Sequence, residues 1–292
     1  MTRACTAAVL ASMVATTGTV ADAAAPAVSA ARPAAAAAVK ASTVGQYADV
    51  NGLHMYYEVH GSGGTPLVLL HGGGSTIETS FGHVLPAFAK TRQVIALEQQ
   101  GHGHTADVDR PFSFEQSADD TAALLKVLKI ESADFFGYSN GGSIALQIAI
   151  RHPRLVRKLV VLSGMYKRDG MYPWFWESMQ HASLDSMPAE LKDAYRATAP
   201  HPEQLQSFHD KSVRRMLDFK DWRDEDIHGI AAPALIVVAD HDVVRPEHAV
   251  EMFRLLPHGQ LAVLPGMDHM ALVQRSEWQV PMVERFLDEP MP

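Results

Sequence analysis

Cysteine is almost absent from this chain, which has one, Cys5, among 292 residues. Cys5 lies in an alanine-rich leader, so the rest of the chain has no thiol for a disulfide bridge or a cysteine nucleophile. Apolar runs of the roughly twenty residues needed to span a bilayer are also missing after the leader. A basic patch is missing too, because the net charge is -8 with acids and bases interspersed. These absences argue against membrane-spanning and nucleic-acid-binding classes.

The leader has the order of features found in secretory signal peptides. Residues 1–25 carry a single basic residue, Arg3, followed by an alanine-rich apolar stretch and by small residues around Ala23. The small residues are typical of an A-x-A cleavage site. Residues 26–43 are rich in alanine and proline and predict a flexible linker; a disordered, low-complexity leader is the alternative interpretation. We therefore expect export to the periplasm or the medium after cleavage, and a cytoplasmic location if the leader is not a functional signal.

After the linker, strand-like and helix-like patterns alternate. Asn51-Gly52 stands between two segments of alternating polarity and predicts a hairpin with a type I′ turn. Ser113 and Gln116 predict a capping box at the start of a helix. Further strands are predicted at residues 66–70, 93–97, 158–163, 234–239 and 261–264, and further helices at 143–152, 247–256 and 277–287. The alternation predicts an α/β fold with a mostly parallel central sheet and helices on both faces.

The segment Gly137-Tyr138-Ser139-Asn140-Gly141 follows an apolar strand and leads directly into a helical pattern. Glycines on both sides of a serine allow a sharp strand-to-helix turn, because neither carries a Cβ that would clash where the chain reverses. The hydroxyl of Ser139 would then project above the sheet. The motif by itself is equally compatible with an ordinary turn, but its context favours a nucleophile.

Two further polar segments follow buried strands nearer the end of the chain. Asp240 and Asp242 come directly after an apolar run, and His269 follows the last predicted strand. Serine, acid, histidine is the chain order of one type of catalytic triad. Asp240 and Asp268 remain alternatives to Asp242 as the acid.

A glycine-rich loop, residues 71–75, follows the strand at residues 66–70. Backbone N–H groups held close to a carbonyl oxygen stabilise the negative charge that acyl transfer develops there. With the serine turn, the acid and the histidine, this loop makes the chain resemble the α/β-hydrolase superfamily, in particular its esterase- and lactonase-like members with a helical cap. The resemblance implies serine hydrolase chemistry that needs neither a cofactor nor a metal ion.

The resemblance also implies a role for each residue of the triad. Ser139 would attack the substrate carbonyl, His269 would transfer the proton, and Asp242 would orient the histidine. Asp242 is preferred to Asp240 because the family places its acid four residues before a proline, here Pro246.

The oxyanion hole would consist of two backbone N–H groups, those of Gly73 and Asn140. Neighbouring residues would support the site by keeping the backbone in position, His71 through hydrogen bonding. These supporting residues are His71, Gly72, Gly137 and Gly141.

One loop departs from the family's usual pattern. Many members carry Asp-x-Arg-Gly-x-Gly-x-Ser after the strand at 93–97, whereas residues 98–105 read Glu-Gln-Gln-Gly-His-Gly-His-Thr. The arginine that often ties this loop down is missing, so its packing is not predicted. His102 and His104, with His241, could be metal ligands, but no acidic or cysteine partner has a spacing that completes a tetrahedral site. A hydrogen-bonded loop is the preferred interpretation.

Residues 165–229 interrupt the alternation, and the hydrolase core is predicted at residues 44–164 and 230–292. The insertion matches the position of the family's helical cap and is rich in aromatic and methionine side chains. Some of these would line an apolar substrate pocket, while most would pack the cap on the core. The predicted pocket residues are Tyr138, Trp174, Trp176, Met179 and Met270.

The sequence therefore predicts a serine hydrolase that cleaves a small or medium apolar carboxylic ester or lactone through an acyl-serine intermediate. Hydrolysis of C–C bonds and haloperoxidase-like perhydrolysis remain alternatives on the same triad. Haloalkane dehalogenases and epoxide hydrolases are disfavoured, because they place an aspartate where this chain has Ser139. A ligand-binding receptor or scaffold is the alternative of a different class. The predicted partner is the small-molecule substrate, and the sequence makes no prediction about the oligomeric state.

Overall fold

The computed structural model describes residues 42–292, so the predicted signal peptide and most of the linker lie outside the described residues. The first strand begins at Ser42, two residues before the predicted start of the core. The described chain forms one eight-stranded sheet in the order β1-β2-β4-β3-β5-β6-β7-β8. The strands are β1 (Ser42–Val50), β2 (Leu53–His60), β3 (Leu67–Leu70), β4 (Val94–Leu97), β5 (Ala133–Tyr138), β6 (Val156–Leu162), β7 (Ala234–His241) and β8 (Gly259–Asp268).

Helices fill the connections between the strands. They are α1 (Ile77–Phe81), α2 (Leu85–Phe88), α3 (Phe114–Val127), α4 (Asn140–Arg151), α5 (Pro173–Gln180), α6 (Ala189–Thr198), α7 (Leu205–Leu217), α8 (Asp224–His228), α9 (Pro246–Leu255), α10 (Ala271–Gln274) and α11 (Ser276–Asp288). None of the helices in residues 42–292 has both the length and the apolar character required to cross a membrane.

The sheet is mostly parallel, which confirms the predicted fold class. β1 and β2 pair antiparallel, as do β2 and β4, whereas the six strands from β4 to β8 in the sheet order run parallel. Central strands are continuously apolar because helices cover both faces of the sheet. In β3, Val68 and Leu70 belong to the hydrophobic cluster that includes residues of α3, α4 and α9. Leu67 and Leu69 belong to the cluster on the other face, which includes residues of α1, α2 and α11.

Turns and helix ends follow the local sequence with two differences. Asn51 and Gly52 have φ values of 48° and 79°, as the predicted type I′ hairpin requires. At α3, the Ser113 side chain accepts a hydrogen bond from the Gln116 N–H, but the Gln116 side chain donates to Asp120 instead, so half of the predicted capping box forms. α4 begins at Asn140, three residues before its predicted start, because the helix follows the serine turn without a linker.

The chain between β6 and β7 adds no strand to the sheet. It contributes α5, α6, α7 and α8, joined by short turns. These helices lie within the segment predicted as a helical insertion. Their position after β6 places them next to the carboxyl ends of the parallel strands, where ligands of α/β sheets bind.

Candidate active site

Ser139 lies at the junction between β5 and α4. Its φ of 55° and ψ of -119° form a combination that residues with a side chain rarely adopt. A Cβ on Gly137 would lie 2.0 Å from the carbonyl oxygen of Gly141, and a Cβ on Gly141 would lie 1.9 Å from that of Leu70. The turn therefore requires glycine on both sides of Ser139, because the backbones of β3, β5 and α4 are in direct contact.

Ser139, His269 and Asp242 form a continuous hydrogen-bonded series at the carboxyl edge of the sheet. His269 Nε2 is 3.0 Å from Ser139 Oγ, and His269 Nδ1 is 2.7 Å from Asp242 Oδ1. When Nδ1–H donates to the carboxylate, Nε2 is left as an acceptor for the serine proton. The structure thus brings together the three residues that the sequence predicts as nucleophile, base and acid.

Several donors surround the buried carboxylate of Asp242. The N–H groups of Val243 and Val244 donate to Oδ1 at 2.7 and 3.3 Å, and the N–H of Ala239 donates to Oδ2 at 3.2 Å. Burial opposes ionisation of this carboxyl, but the hydrogen bond with His269 and the other donors outweigh it and hold the pKa of Asp242 below its usual value. Asp242 is therefore ionised at neutral pH.

Ser163 belongs to this series, although no sequence motif marks it. It follows β6 with a φ of 56°. Its hydroxyl donates to Asp242 Oδ1 at 2.8 Å and lies 2.9 Å from His269 Nδ1. Its place directly after an apolar strand was a signal, because the other polar residues of the site occupy equivalent places after their own strands.

The alternative acids hold backbone segments instead. Asp240 is exposed and accepts hydrogen bonds from the N–H groups of Gly266 and Met267 at 2.9 and 3.2 Å. Asp268 accepts one from the N–H of Ala271 at 2.8 Å. Both carboxylates therefore shape the chain on either side of His269 and leave the contact with its imidazole to Asp242.

His71 fixes the glycine-rich loop by two hydrogen bonds. Its Nδ1 donates to the carbonyl of Gly72 at 2.8 Å, and its Nε2 accepts from the N–H of Gln99 at 3.0 Å. This pattern requires one neutral tautomer. Burial lowers the pKa of His71 and so favours the neutral form. His71 thereby connects the glycine-rich loop to the loop at residues 98–105.

Gly72 and Gly73 are packed too closely for a side chain. A Cβ on Gly72 would lie 3.0 Å from the ring of Tyr138, and a Cβ on Gly73 would lie 2.1 Å from Asn140 Nδ2. Asn140 is the first residue of α4, so its N–H is one of the donors that a helix leaves without an internal partner. Both predicted oxyanion donors thus belong to backbone beside Ser139.

Glu98 stabilises the loop at residues 98–105 from inside, in place of the missing arginine. Its carboxylate accepts hydrogen bonds from the N–H of Ile77 at 3.3 Å and from the N–H of His104 at 2.6 Å. His104 Nδ1 lies 2.9 Å from the same carboxylate, and this hydrogen bond raises the pKa of His104. Gly103 leaves the space for the buried carboxylate, because a Cβ there would lie 2.2 Å from both of its oxygens.

The structure does not bring the three histidines of the metal alternative together. His102 Nδ1 donates to the carbonyl of Gln100 at 2.9 Å, while His104 pairs with Glu98 and His241 is exposed. Within residues 42–292, one group of three side chains of ligand type is close enough for a metal ion, and none of the three lines the cavity at Ser139. This group consists of Asp169, His248 and Glu251, and the ammonium group of Lys167 already contacts Glu251 at 2.8 Å.

A cavity of about 310 Å³ opens in front of Ser139, with the insertion helices forming much of its wall. Tyr138, Met179 and Met270 line it, as predicted. Trp174 and Trp176 do not: Trp174 is 52% exposed, and Trp176 stacks on Arg168 with its Nε1 donating to the Arg168 carbonyl at 2.7 Å. Six methionines contribute to the wall, more than any other apolar residue type: Met165, Met171, Met179, Met187, Met216 and Met270.

Tyr138 positions the loop that carries His269. Its hydroxyl donates to the carbonyl of His269 at 2.9 Å, and its ring lies 5.0 Å from the imidazole. Burial raises the pKa of Tyr138, so the hydroxyl stays protonated as a donor.

The cavity wall also includes polar residues of α7 that no sequence motif marks. They are His209, Ser212 and Arg215.

A mostly parallel sheet with a serine turn, a histidine and a buried carboxylate at its carboxyl edge defines the class of α/β hydrolases. Residues 67–280 match the model of the alpha/beta hydrolase family. The chain belongs to this family.

Known relatives differ in what their names say they act on. The chain is 29% identical over 250 residues to the dihydrolipoyllysine-residue acetyltransferase component of the acetoin cleaving system of Pseudomonas putida, covering 80% of this chain and 66% of that protein. It is 41% identical over 110 residues to the 2-hydroxymuconate semialdehyde hydrolase of Pseudomonas sp. (strain CF600), covering 36% of this chain and 39% of that protein. The matches thus span about two thirds and about two fifths of these relatives.

Among solved structures, the enol-lactonase from Burkholderia xenovorans LB400 is similar, with a TM-score of 0.68 and 22% identity. The match covers 84% of this chain and 100% of that chain. At this level of sequence identity, the match shows a shared fold and does not show a shared substrate.

Proposed function

We propose that this protein is a serine hydrolase that cleaves a small or medium apolar carboxylic ester or lactone through an acyl-serine intermediate. One observation carries the proposal: Ser139 Oγ, His269 and Asp242 are joined by contacts of 3.0 and 2.7 Å, and the hydroxyl faces a cavity. The strained turn at Ser139 supports it, because backbone strain of this kind is concentrated at functional sites.

The contacts suggest how the proton moves. As Ser139 Oγ attacks the carbonyl carbon, its proton passes to His269 Nε2, and the negative charge of Asp242 stabilises the imidazolium. His269 then gives the proton to the leaving alcohol, which departs and leaves the acyl group on Ser139. His269 next takes a proton from water, whose oxygen attacks the acyl carbon. The bond from that carbon to Ser139 Oγ then breaks, His269 returns the proton to Oγ, and the acid leaves.

The developing oxyanion would be stabilised by the N–H groups of Gly73 and Asn140. The N–H of Asn140 also lies at the positive end of the α4 dipole, which favours negative charge. Fixed backbone donors need no reorganisation during the reaction, so each is worth about 3 kcal/mol of transition-state stabilisation.

The cavity supports a substrate of limited size and low polarity. Its volume of about 310 Å³ is at the lower end of ligand pockets. Methionine side chains adapt to different acyl or alcohol groups because they are unbranched and polarisable.

Hydrolysis of a C–C bond next to a carbonyl group is a second candidate on the same three residues. The relative that is 41% identical over 110 residues favours it, since 2-hydroxymuconate semialdehyde contains no ester. The two candidates share Ser139 and differ in the leaving group, which is a carbanion in the second.

The proposal is tested with p-nitrophenyl esters from acetate to octanoate. We expect the purified protein to hydrolyse them with a rate that depends on acyl length, and Ser139→Ala to lose at least about a thousandfold in kcat. The matched control is Ser207→Ala, which makes the same change at an exposed position of α7 and is expected to keep full activity. Turnover that survives in Ser139→Ala would refute the serine mechanism.

A further inference from the structure

Arg215 is a buried cation for which residues 42–292 provide no carboxylate partner. Its side chain lies on α7 and the residue is 6% exposed. Nε and Nη2 are buried and have no hydrogen-bond partner among the described residues. Burying a charge without a partner is strongly unfavourable, so an arginine held this way indicates a group that the folded protein does not itself supply.

Two aromatic rings account for part of the environment of Arg215. The guanidinium carbon lies 5.3 Å from the ring centre of Phe114 and 5.7 Å from that of Phe112. Such contacts stabilise the cation through the faces of the rings. They leave the N–H groups at the edge of the guanidinium without acceptors, and these groups are the ones that bind carboxylates.

The unpaired edge of Arg215 lies beside the predicted oxyanion loop. A Cβ built on Gly73 would be 3.4 Å from Arg215 Nη2, and both residues line the cavity in front of Ser139. The guanidinium is therefore close to the place where a substrate carbonyl would lie, within the same cavity.

Ser212 provides a second unpaired donor on the same face of α7. It lies three residues before Arg215, which places the two side chains next to each other on the helix. Its Oγ is buried without a hydrogen-bond partner among the described residues, and it lines the same cavity. The residues lining this cavity include no Asp or Glu, so an anion entering it would meet a cation and a hydroxyl without a competing carboxylate.

We infer that Arg215 and Ser212 bind a carboxylate group of the substrate, so that the preferred substrate is an ester or lactone of an acid with a second, free carboxylate close to the scissile carbonyl. This inference rests on the proposed function and changes its substrate class in one respect, because the ester or lactone carries one charged group in addition to an apolar carbon chain. The rest of the cavity wall is mostly apolar and accepts the carbon chain. Burial lowers the pKa of Arg215 to about 10, which leaves it protonated at neutral pH.

A role of Arg215 in stabilising the oxyanion itself is the main competing explanation. That role would act on every substrate alike, because every acyl transfer develops the same charge. A carboxylate-binding role acts on anionic substrates alone. The two explanations therefore predict different changes in substrate preference when Arg215 is replaced.

Binding is measured first, in a Ser139→Ala background that cannot form the acyl-enzyme. Monomethyl glutarate and dimethyl glutarate differ by one charge, and calorimetry gives the dissociation constant of each. We expect the monoanion to bind at least about tenfold more tightly, and this preference to vanish when Arg215→Met is added. Adding Arg214→Met, which removes the same charge from an exposed neighbour, should preserve it. Equal binding of both esters, or a preference that survives Arg215→Met, would overturn the inference.

Turnover of the same two esters by the otherwise unmodified protein is followed by methanol release. Each ester consumes one water and yields the acid, methanol and a proton. The ratio of kcat/KM for the monoanion to kcat/KM for the diester should fall about a hundredfold in Arg215→Met and partly recover in Arg215→Lys, which keeps the charge but loses the planar fork. An equal loss for both esters would overturn the inference in favour of an oxyanion role.

The outcomes also separate this inference from the proposed function. Binding of the monoanion through Arg215 without Ser139-dependent turnover of either ester would leave the carboxylate site in place and refute the ester hydrolase. Ser139-dependent turnover of the diester without any preference for the monoanion would support the hydrolase and refute the carboxylate site. Thermal unfolding checks the folding of Arg215→Met, which removes an unpaired buried charge and should not lower stability; if it does, Ser212→Ala is used to test the preference.

Discussion

Ser139 and Ser163 both have φ values that side chains avoid, 55° and 56°. Each lies directly after a parallel strand, and both hydroxyl groups point at His269 from different sides. Such strain persists where the surrounding structure holds the residue in place. At the scale of single residues, the site therefore depends on two serines that hold opposite sides of one imidazole.

Replacing Ser163 by glycine should separate its hydrogen bonds from its backbone strain. Ser163→Gly removes the donor to Asp242, and kcat should fall between about tenfold and a hundredfold, the range for a hydrogen bond to a charged group. Glycine adopts a φ of 56° without strain, so the unfolding free energy in urea should change by less than about 1 kcal/mol. An unchanged kcat would show that the Ser163 hydroxyl does not support His269.

The two neighbouring acids should respond differently to the same substitution. Asp242→Asn removes the charge that faces His269 and should lower kcat by about a thousandfold or more. Asp240 accepts from Gly266 and Met267 through different oxygens, so Asp240→Asn keeps one of these two hydrogen bonds and removes no contact with His269. Its kcat should stay within about threefold of the wild-type value. The ester assay described above measures both. A collapse in Asp240→Asn with Asp242→Asn active would move the acid role to Asp240.

At the scale of elements, close backbone contact at the junction of β5 and α4 determines where Ser139 lies. β3, β5 and α4 meet at Gly137 and Gly141 with no space for a methyl group. The neighbouring loop at residues 98–105 is packed around a buried carboxylate, and His71 connects it to the glycine-rich loop. Short loops anchored in this way hold the site because the strands beneath them are rigid.

A methyl group added at this junction should lower the stability of the protein more than a methyl group added elsewhere. Gly137→Ala places a Cβ 2.0 Å from the carbonyl oxygen of Gly141 and should destabilise the protein by about 3 kcal/mol or more, as overpacking does. Gly229→Ala is the control, because its Cβ would lie 3.2 Å from the nearest backbone atom. Thermal unfolding and soluble yield measure both. Equal stability of the two variants would show that the junction can relax.

At the scale of the whole molecule, several histidines are buried in the neutral form. Burial lowers the pKa of His71 and of His102, and it lowers that of His248 to about 4. In the unfolded chain these groups take up protons near pH 6.5. Between pH 6.5 and 4 the unfolded state therefore binds more protons than the folded state, and stability falls as the pH falls. The raised pKa of His104 has the opposite sign, since its contribution is present below pH 6.5 and is lost at higher pH.

The unfolding free energy should consequently decrease steeply between pH 6.5 and 4. Each buried histidine contributes up to about 1.4 kcal/mol per pH unit in this window. His248→Gln removes one of them and should make the decrease shallower by that amount, whereas His181→Gln, at an exposed position, should leave it unchanged. Urea titrations at pH 4.5, 5.5, 6.5 and 8 measure the slopes. Identical slopes for all three proteins would mean that His248 is protonated in the folded state.

Several features of this protein follow from the sequence by itself. The order of elements, the hairpin turn at Asn51-Gly52 and the strand-to-helix turn at Ser139 are local, because each depends on backbone geometry within a few residues. The chain order of Ser139, Asp242 and His269 can also be read from the sequence, because each residue follows a recognisable strand. The positions of the three side chains agree with that order because parallel strands end at one edge of the sheet.

Other features were decided by the tertiary structure, because they depend on side chains far apart in the chain. Trp174 and Trp176 have the composition of pocket residues but lie outside the cavity, since which face of a helix meets the core depends on packing. Glu98 takes the place of an absent arginine through partners at the start of α1 and within its own loop, the N–H groups of Ile77 and His104. Arg214 and Arg215 are adjacent in sequence and identical in type, yet the turn of α7 exposes one and buries the other beside Gly73, so the cation that faces the substrate cavity is visible in the folded chain alone.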